Sequence, residues 1–310
     1  MQLFRTARDL PESLLHGAVT IGNFDGVHRG HAALLERLKA QAERVGGPAI
    51  VFTFDPHPVR LLRPSETPPP LTWTDRKAEL LFDLGVSAVI SYPTDLALLS
   101  LTAGEFFESI LRQTLAARAV VEGPNFYFGK GREGNVHTLA KLCESAGMTF
   151  EVVEPTIEAG AIVSSSRVRQ LIVDGNVGEA SQLLTRPYRI RGMVTHGAQR
   201  GSKIGFPTAN VDAIDTLLPK LGVYAARAIT SQGTFAAALN LGPNPTFGEH
   251  ATKVEAHLLG FSGSLYGQPI ELDFLAHLRD IRPFASIDAL KQQLALDVAA
   301  TQAIVARHSS

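Results

Sequence analysis

The feature that most constrains the fold is an alternation of strand-like and helix-like segments through roughly the first 185 residues. Ala18–Ile21 is a short apolar run that ends at Gly22. Residues 31–45 then carry apolar side chains at helical spacing, and residues 49–54 form a second β-rich run. Such alternation predicts an α/β domain built on a doubly wound parallel sheet with helices on both faces. Ligands of these sheets bind at the carboxyl ends of the strands.

The alternation continues toward residue 185. Further strands are predicted at residues 88–91, 118–122 and 149–153. Further helices are predicted at residues 74–84, 136–146, 164–174 and 176–184. Thr102 and Glu105 have the spacing of a capping box just before an apolar run, which predicts one more helix start. We therefore expect a Rossmann-like N-terminal domain over residues 1–185.

The sequence changes character near Arg186, where short β segments separated by Gly, Pro and Asn begin. The predicted strands are residues 188–195, 222–230, 234–241, 253–259 and 270–277. Strands of this spacing predict a small antiparallel β-barrel. Ser286 is a suitable N-cap for one C-terminal amphipathic helix. We expect the second domain over residues 186–310, and a length of 310 residues is compatible with two domains.

Composition lowers the expectation of several classes of protein. Lys and Arg together number 29 against 30 for Asp and Glu, so no basic excess attracts a polyanion. The single cysteine, Cys143, cannot form an intramolecular disulfide or a tetrathiolate zinc site. The sequence has no signal-peptide core and no apolar run long enough to span a membrane. We expect a cytoplasmic chain that binds neither nucleic acid nor membrane.

Two histidines follow the first predicted strand. Gly22 and Gly26 shape a turn, and His28 and His31 stand three residues apart where the next helix begins. If the first helical turn forms, both rings lie on one face. The N–H groups of a helix start favour an anion, and imidazoles beside them can donate hydrogen bonds to phosphate oxygens. Surface histidines or a partial metal site are the alternatives, although no third ligand of matching spacing is evident.

The stretch GNFDGVHRGH resembles the HxGH signature of the nucleotidylyltransferase superfamily, which transfers a nucleotidyl group from a nucleoside triphosphate and releases pyrophosphate. The stretch SSSRVR, residues 164–169, resembles the second signature of that superfamily, which holds the triphosphate. A helix N-cap followed by surface arginines is the alternative for the second stretch. The resemblance implies that His28 and His31 are catalytic. It also implies that ATP is bound by Gly22, Asn23, Phe24, His28, His31, Ser165, Ser166 and Arg169.

Two further loops narrow the resemblance. Residues 52–58 and 121–130 each follow a strand, and both are similar to loops of the bacterial bifunctional riboflavin kinase/FAD synthetase family. The resemblance implies that FMN is bound at His57, Pro58, Asn125, Phe126 and Phe128. Aromatic rings can stack on a flavin, but packing of a strand–loop junction explains any one of them equally well. Residues 123–130 are not a P-loop, because their glycine spacing is too long and Gly131 replaces the required hydroxyl.

A second glycine-rich stretch opens the predicted barrel. Glycines at 192, 197, 201 and 205 allow the backbone to approach phosphates closely, and Thr208 and Asn210 offer oxygen ligands suited to Mg²⁺. A flexible hairpin loop and an ordinary turn or edge position are the alternatives. The pattern GxxxHGxxRGxxxGFPTAN resembles the riboflavin kinase signature. That resemblance implies that ATP is bound by Gly192, His196, Gly197, Arg200, Gly201, Lys203, Gly205, Pro207, Thr208 and Asn210, with Thr208 and Asn210 holding Mg²⁺.

The same resemblance assigns the flavin side of the kinase. It makes Glu255 the general base, with riboflavin bound by Asn240, Glu255 and Arg279. A buried ion-pair partner is the alternative for Glu255, and surface pairing is the alternative for Arg279. The chain departs from the family at Ser202, Ile204 and Gly260, and in the loop that contains Glu122 and Pro124. These departures leave the predicted catalytic residues intact but affect flavin affinity and loop closure.

The resemblance implies a bifunctional enzyme. ATP and Mg²⁺ serve a kinase that converts riboflavin to FMN, and a second ATP serves an adenylyltransferase that converts FMN to FAD and releases pyrophosphate. A weak homo-oligomer is compatible with the sequence. Two other hypotheses remain: an adenylyltransferase with a degenerate barrel, and a non-catalytic flavin- or RNA-binding regulator. The complete glycine stretch at residues 192–210 and the presence of His28, His31 and Glu255 argue against them.

Overall fold

The computed structural model describes residues 2–6, 10–197, 200–243, 246 and 252–308, without the side chains of residues 66, 200 and 203. Its contacts group the chain into two compact units. The first comprises Met1–Pro68 and Trp73–Ser164, and the second comprises Pro69–Thr72 and Ser165–Ser310. The helices predicted at residues 164–184 therefore pack with the second unit. The functional boundary near residue 185 stays a prediction.

The strands of the first unit form one large sheet and two small hairpins. The strands are β1 (Gln2–Phe4), β2 (Ala18–Ile21), β3 (Ala49–Asp55), β4 (Ala88–Pro93), β5 (Ala119–Glu122), β6 (Tyr127–Phe128), β7 (Gly134–Asn135), β8 (Thr149–Val152), β9 (Ile157–Glu158) and β10 (Ala161–Ile162). The large sheet has the order β1-β4-β3-β2-β5-β8, and its strand pairs are parallel. β6 pairs with β7, and β9 pairs with β10, both antiparallel.

Helices cover both faces of this sheet. The helices are α1 (Arg29–Val45), α2 (Pro58–Leu62), α3 (Thr74–Asp83), α4 (Leu96–Ser100), α5 (Ala103–Phe106) and α6 (Val136–Ser145), and α5 continues as π-helical turns at Phe107–Thr114. Because side chains alternate along a strand, the sheet supplies two cores. Ala49 and Val51 face one core with Leu35 of α1, whereas Ile50 and Phe52 face the other. The predicted doubly wound architecture is confirmed.

Strand order places a crevice at one point of the sheet edge. From β2 the chain continues through α1 to β3 on one side, while β5 pairs with β2 on the other side. The order of the strands therefore reverses between β2 and β5. In open α/β sheets, ligands bind beyond the carboxyl ends of strands at such a reversal. The turn that carries His28 and His31 begins there, directly after β2.

The second unit contains a closed barrel. Its elements are α7 (Ser165–Val173), α8 (Val177–Leu184), β11 (Tyr188–Thr195), α9 (Arg200–Lys203), β12 (Ala209–Asp212), β13 (Gly222–Thr230), β14 (Gly233–Gly242), β15 (Lys253–Leu258), β16 (Pro269–Arg279) and α10 (Ile287–Arg307). The barrel order is β11-β12-β15-β14-β13-β16. The Ser286 hydroxyl caps α10 by accepting the Ala289 N–H at 3.1 Å. The predicted barrel and C-terminal helix are confirmed. Among the described residues, no helix combines the length and apolarity needed to cross a membrane.

Candidate active sites

The two predicted histidines meet at the start of α1. His28 is the N-cap residue, and its backbone N–H donates to Nδ1 of His31 at 3.3 Å. The two rings stack with centroids 3.7 Å apart and an interplanar angle of 15°. A spacing of three residues across the helix start thus brings both imidazoles together beside the N–H groups at the N-terminus of α1. Such an arrangement can bind a phosphate oxygen that gains negative charge.

The glycine between the histidines is required by its neighbours. A Cβ atom on Gly30 would lie 3.2 Å from the His28 ring and 3.3 Å from the carbonyl oxygen of Val163. Both distances are tighter than ordinary packing allows. Gly30 therefore lets the backbone after β10 approach the histidine pair closely.

The turn before α1 has an unusual backbone. Phe24, Gly26 and Val27 have φ values of 47°, 81° and 41°, in the left-handed region that β-branched residues rarely adopt. The Val27 N–H closes the turn on the Phe24 carbonyl at 3.2 Å. The Phe24 ring lies 5.0 Å from the His31 ring, so the turn also supports the second histidine.

The residues before this turn are tied to the neighbouring strand. The N–H of Gly22 donates to the carbonyl of Phe52 at 3.0 Å, which extends the pairing of β2 with β3. The Thr53 hydroxyl donates to the Asn23 carbonyl at 3.3 Å. Gly22, Asn23 and Phe24 therefore lie along the carboxyl edge of the sheet, directly before the histidine pair.

One buried carboxyl group lies where β2 and β5 separate. The sequence analysis named this residue, Glu122, only because its loop differs from the family pattern. Glu122 is fully buried at the end of β5, and its Oε1 accepts the Ile21 N–H at 2.6 Å. Burial raises the pKa of Glu122 well above its usual value, against the opposing effect of the hydrogen bond from the Ile21 N–H. The pairing of β2 with β5 covers only Ala18 and Val19 on β2. Glu122 thus satisfies a backbone N–H where the two strands separate.

The predicted flavin-binding loops contain residues in different settings. His57 caps the short helix α2, with Nδ1 accepting the Val59 N–H at 3.1 Å, and Pro58 is the first residue of that helix. Asn125 is exposed. The rings of Phe126 and Phe128 stack with centroids 5.4 Å apart. Their predicted contacts with FMN stay predictions.

Phe128 itself is a core residue, packed with Phe106 at a centroid distance of 5.9 Å. Its position matches the packing alternative, in which it supports Phe126. The neighbouring Tyr127 is the exposed ring, and the guanidinium of Arg132 lies 4.6 Å from its centroid. Tyr127 belongs to the same aromatic cluster in the sequence, but only Phe126 and Phe128 were predicted to bind FMN.

The second predicted phosphate motif lies at a helix start, as its sequence suggests. α7 begins at Ser165, and Ser166 is the second residue of that helix. Arg169 follows one turn later. These three residues belong to the second compact unit. Their predicted role in holding the triphosphate stays a prediction.

The kinase residues predicted to act together form a row across the barrel. Asn210 of β12 is directly opposite Glu255 of β15, and Glu255 is directly opposite Asn240 of β14. Directly opposite residues of antiparallel strands project on the same face of the sheet. The flanking residues Val254 and Ala256 are buried in the barrel, whereas Glu255 is half-buried. Glu255 therefore has a carboxamide on each side, on the outer face of the barrel.

The glycine stretch approaches this row closely. A Cβ atom on Gly197 would collide with the side chain of Asn210, and one on Gly201 would collide with the carbonyl of Phe206. Gly192 packs against Val211 in the same way, and Gly205 has a φ of 91°. Glycine is thus needed where the loop meets the strands. The side chains of Arg200 and Lys203 lie outside the described residues.

The predicted metal ligands have suitable chemistry. The Pro207 carbonyl is 2.7 Å from Nδ1 of His257, which holds the residue before Thr208 against β15. Two residues earlier on that strand is Glu255. The Thr208 hydroxyl and the side-chain oxygen of Asn210 are hard oxygen donors of the type that Mg²⁺ binds, and the Glu255 carboxylate lies opposite Asn210. The donor set therefore fits the implied ion.

Two further contacts concern the edges of the kinase site. His196 of the glycine stretch stacks on Tyr266, which lies shortly before β16, with ring centroids 3.9 Å apart. The sequence analysis assigned no role to Tyr266. The guanidinium of Arg279 is bound by the buried carboxylate of Asp297 on α10, with Nη2 2.9 Å from Oδ2. Arg279 thus fastens the C-terminal helix to the barrel. Its predicted contact with riboflavin stays a prediction.

Family models match both parts of the chain. The model described as FAD synthetase matches residues 11–167, and the model described as riboflavin kinase matches residues 184–305. A bifunctional riboflavin kinase/FMN adenylyltransferase from Escherichia coli (strain K12) is 36% identical over 299 residues, which covers 96% of each chain. The chain belongs to the bifunctional riboflavin kinase/FMN adenylyltransferase family.

Other members support this placement. The Pseudomonas fluorescens bifunctional riboflavin kinase/FMN adenylyltransferase is 36% identical over 307 residues, which covers 99% of this chain and 98% of its own. A crystal structure described as a macrolide-efflux protein from Streptococcus pneumoniae is also similar, with a TM-score of 0.85, 29% sequence identity and coverage of 97% and 98%. That description concerns the Streptococcus protein alone. Family membership of this chain rests on the two domain matches and the bifunctional relatives.

Proposed function

We propose that this chain makes FAD from riboflavin in two steps, with the kinase chemistry on the barrel and the adenylyl transfer on the parallel sheet. The barrel phosphorylates riboflavin to FMN with one ATP, and the sheet domain joins FMN to the adenylyl group of a second ATP. The match of one family model to each part of the chain carries this conclusion. The row that contains Glu255 suits the kinase step, and the histidine pair suits the adenylyl transfer.

The kinase step uses the row across the barrel. Glu255 takes the proton of the riboflavin 5′-hydroxyl as that oxygen attacks the γ-phosphorus of ATP, and the bond to ADP breaks. General-base assistance of this type is worth about 10²–10⁴-fold. Asn240, which lies opposite Glu255, is proposed to orient the flavin. The glycine stretch offers backbone N–H groups to the phosphates.

Mg²⁺ is proposed as the metal of the kinase. Thr208 and Asn210 would hold it, and the ion would neutralise charge on the ATP phosphates. The oxygen chemistry of these side chains and the close packing of Gly197 against Asn210 support the proposal. The chain's own residues would then orient the two reactants.

The adenylyl transfer uses the histidine pair. A phosphate oxygen of FMN attacks the α-phosphorus of ATP, and the bond to pyrophosphate breaks. His28 and His31 donate hydrogen bonds to the oxygens that gain charge, supported by the positive end of α1. Ser165, Ser166 and Arg169 are proposed to hold the departing pyrophosphate, because hydroxyls and an arginine at a helix start suit phosphate. His57, Pro58, Asn125 and the Phe126–Phe128 pair are proposed to receive FMN.

The setting of the reaction is a further proposal. A chain with one cysteine, buried in the first unit, needs no oxidising compartment. We place the enzyme in the cytoplasm, where ATP is available. Self-association as a weak homo-oligomer stays a prediction.

Two variants test the assignment of the two sites. The double variant His28→Ala/His31→Ala should accumulate FMN from riboflavin without forming FAD. Glu255→Ala should form no FMN from riboflavin, yet should still convert added FMN to FAD. Chromatographic separation of riboflavin, FMN and FAD after incubation with ATP and Mg²⁺ measures both activities. Loss of both activities in either variant, with folding intact by circular dichroism, would refute the assignment.

A further inference from the structure

The row that contains the proposed general base continues to the end of β16. Val223 of β13 is directly opposite both Asn240 of β14 and Arg279 of β16. Asn240 is in turn directly opposite Glu255. Neighbouring strands of a sheet lie about 4.8 Å apart, so Arg279 is roughly 10 Å from Asn240 along the barrel wall. Arg279 therefore lies in the same row as the other two residues proposed to bind riboflavin.

A buried carboxylate of α10 holds the guanidinium of Arg279. Asp297 is 4% exposed, and its Oδ2 accepts the Nη2 N–H of Arg279 at 2.9 Å while its Oδ1 accepts the Nε N–H at 3.1 Å. The Nη1 N–H donates to the Asp280 carbonyl at 3.2 Å. Two-point bonding to a carboxylate fixes the orientation of a planar guanidinium. Because Nη1 and Nη2 each carry a second N–H, Arg279 can be held by α10 and still donate to a reactant.

A glutamine of α10 extends this contact to the chain that precedes the helix. The Nε2 group of Gln293 donates to Oδ1 of Asp297 at 2.9 Å. The Oε1 atom of Gln293 accepts the Nη2 N–H of Arg282 at 2.8 Å. Arg282 belongs to residues 280–285, the connecting segment between β16 and α10. One buried carboxylate is thus linked both to Arg279 and to the connecting segment.

An aromatic ring of the connecting segment lies beside both guanidiniums. The centroid of the Phe284 ring is 5.5 Å from Arg279 and 5.3 Å from Arg282, within the range of cation–π attraction. The backbone N–H of Phe284 donates to the Thr246 hydroxyl at 3.3 Å. Thr246 lies four residues beyond the end of β14. The arginines therefore hold a residue that is hydrogen-bonded to the loop after β14.

The connecting segment also packs on the end of β14 itself. A Cβ atom on Gly242 would collide with the side chain of Ile281. Gly242 has a φ of 142°, which a residue with a side chain rarely adopts. Gly242 is the last residue of β14 and follows Asn240 by two positions. The connecting segment thus lies directly against the strand end that carries Asn240.

We propose that Asp297 is a positioning residue for riboflavin phosphorylation, which orients Arg279 and holds the connecting segment beside Asn240. Asp297 acts through these groups and contacts neither reactant. The inference rests on the proposed binding of riboflavin by Asn240, Glu255 and Arg279. Riboflavin binding should depend on this carboxylate more than ATP binding does, because the groups proposed for ATP belong to the glycine stretch.

Removal of the carboxylate charge tests this role. Asp297→Asn keeps the size of the side chain, and we expect the KM for riboflavin to rise about 10-fold, the scale of one hydrogen bond to a charged group. The KM for ATP and the conversion of added FMN to FAD should stay at wild-type values. Asp297→Glu, which keeps the charge, should have a lower KM for riboflavin than Asp297→Asn. Asp288→Asn, at an exposed carboxylate of the same helix, is the matched control and should keep the wild-type KM.

A double variant tests whether Asp297 acts through Arg279. Arg279→Gln should raise the KM for riboflavin at least as much as Asp297→Asn, and the double variant should be no worse than Arg279→Gln alone, since both act on one interaction. Multiplied losses would overturn the proposal. So would a wild-type KM for riboflavin in Asp297→Asn, or equal rises in the KM values of both substrates.

A thermal melt of each variant reports folding. If Asp297→Asn does not fold, Gln293→Leu decides, because Gln293 links Asp297 to the connecting segment. A rise in KM confined to riboflavin in Gln293→Leu supports the proposal, and a wild-type KM overturns it.

The variant Glu255→Ala, assayed in parallel, distinguishes this inference from the function on which it rests. If Glu255→Ala lost FMN formation while Asp297→Asn kept the wild-type KM for riboflavin, only the role of Asp297 would be refuted. If Glu255→Ala still formed FMN at the wild-type rate, the kinase assignment itself would fail, and with it the positioning role.

Discussion

A single buried carboxyl group joins the ends of β2 and β5. The two strands pair only through Ala18 and Val19, after which the Ile21 N–H needs another partner. Glu122 supplies it from the end of β5, and burial keeps its carboxyl group from ionising easily. Because the Glu122 side chain replaces a backbone acceptor, β2 and β5 can separate where the histidine turn begins. The Ile21 N–H is not left unsatisfied.

The raised pKa of Glu122 predicts a pH-dependent stability. Because the folded state holds this proton more tightly than the unfolded chain, the stabilisation is complete below the usual value of 4.5 and is lost as pH rises toward the folded pKa. Glu122→Gln keeps the acceptor and does not titrate. The Tm of the wild type minus that of Glu122→Gln should therefore decrease between acid and alkaline pH. Differential scanning fluorimetry across that range measures it, and a constant difference would contradict the prediction.

At the scale of residues, the sequence predicts contacts between side chains that are only a few positions apart. The interval between His28 and His31 predicts two rings on one face, and the rings stack. Glu122 could not be recognised from spacing, because its partner Ile21 is distant in sequence. Pairing over such separations depends on the strand order, which a local pattern does not contain.

At the scale of elements, the start of α1 depends on one position without a side chain. A methyl group on Gly30 would press on the His28 ring and the Val163 carbonyl. We expect Gly30→Ala to lower kcat for FAD formation by about 10-fold, since shifts of a few tenths of an ångström are smaller than the 1 Å that costs roughly 10²-fold. Riboflavin kinase activity should be unchanged. The measurement is the kcat of each reaction on the purified variant.

Gly104→Ala is the matched control for this prediction. Gly104 also lies in the first turn of a helix, α5, but a Cβ atom there would meet nothing within 4 Å. This variant should keep wild-type FAD formation. Equal losses in the two variants would mean that the helical glycine, rather than the contact with His28, explains the effect.

Elements with a regular apolar pattern were predictable, and short polar ones were not. The bounds of β11 and β13 match the prediction: buried residues alternate along β11, and β13 begins with a continuous buried run. β1 and β12 were missed: the first has three residues, and the second follows the glycine stretch and carries Asn210 and Asp212. Both are strands by virtue of their neighbours, β4 for the first and β11 with β15 for the second.

At the scale of the molecule, each compact unit has its own architecture, and a separate family model matches each part of the chain. The first unit has two cores on the faces of one sheet, and the second has a closed barrel. The product of the barrel reaction is the substrate of the sheet reaction. If FMN is released between the steps, the two active sites need not belong to the same chain.

That independence predicts complementation between two inactive chains. His28→Ala/His31→Ala should convert riboflavin only to FMN, and Glu255→Ala should leave riboflavin unchanged, so neither makes FAD alone. A mixture of the two proteins with riboflavin, ATP and Mg²⁺ should form FAD after a lag, during which free FMN rises and then falls. Flavin chromatography over time follows both species. If the mixture forms no FAD while Glu255→Ala converts added FMN, the FMN made by the kinase stays bound to its own chain, and the two steps are coupled within one molecule.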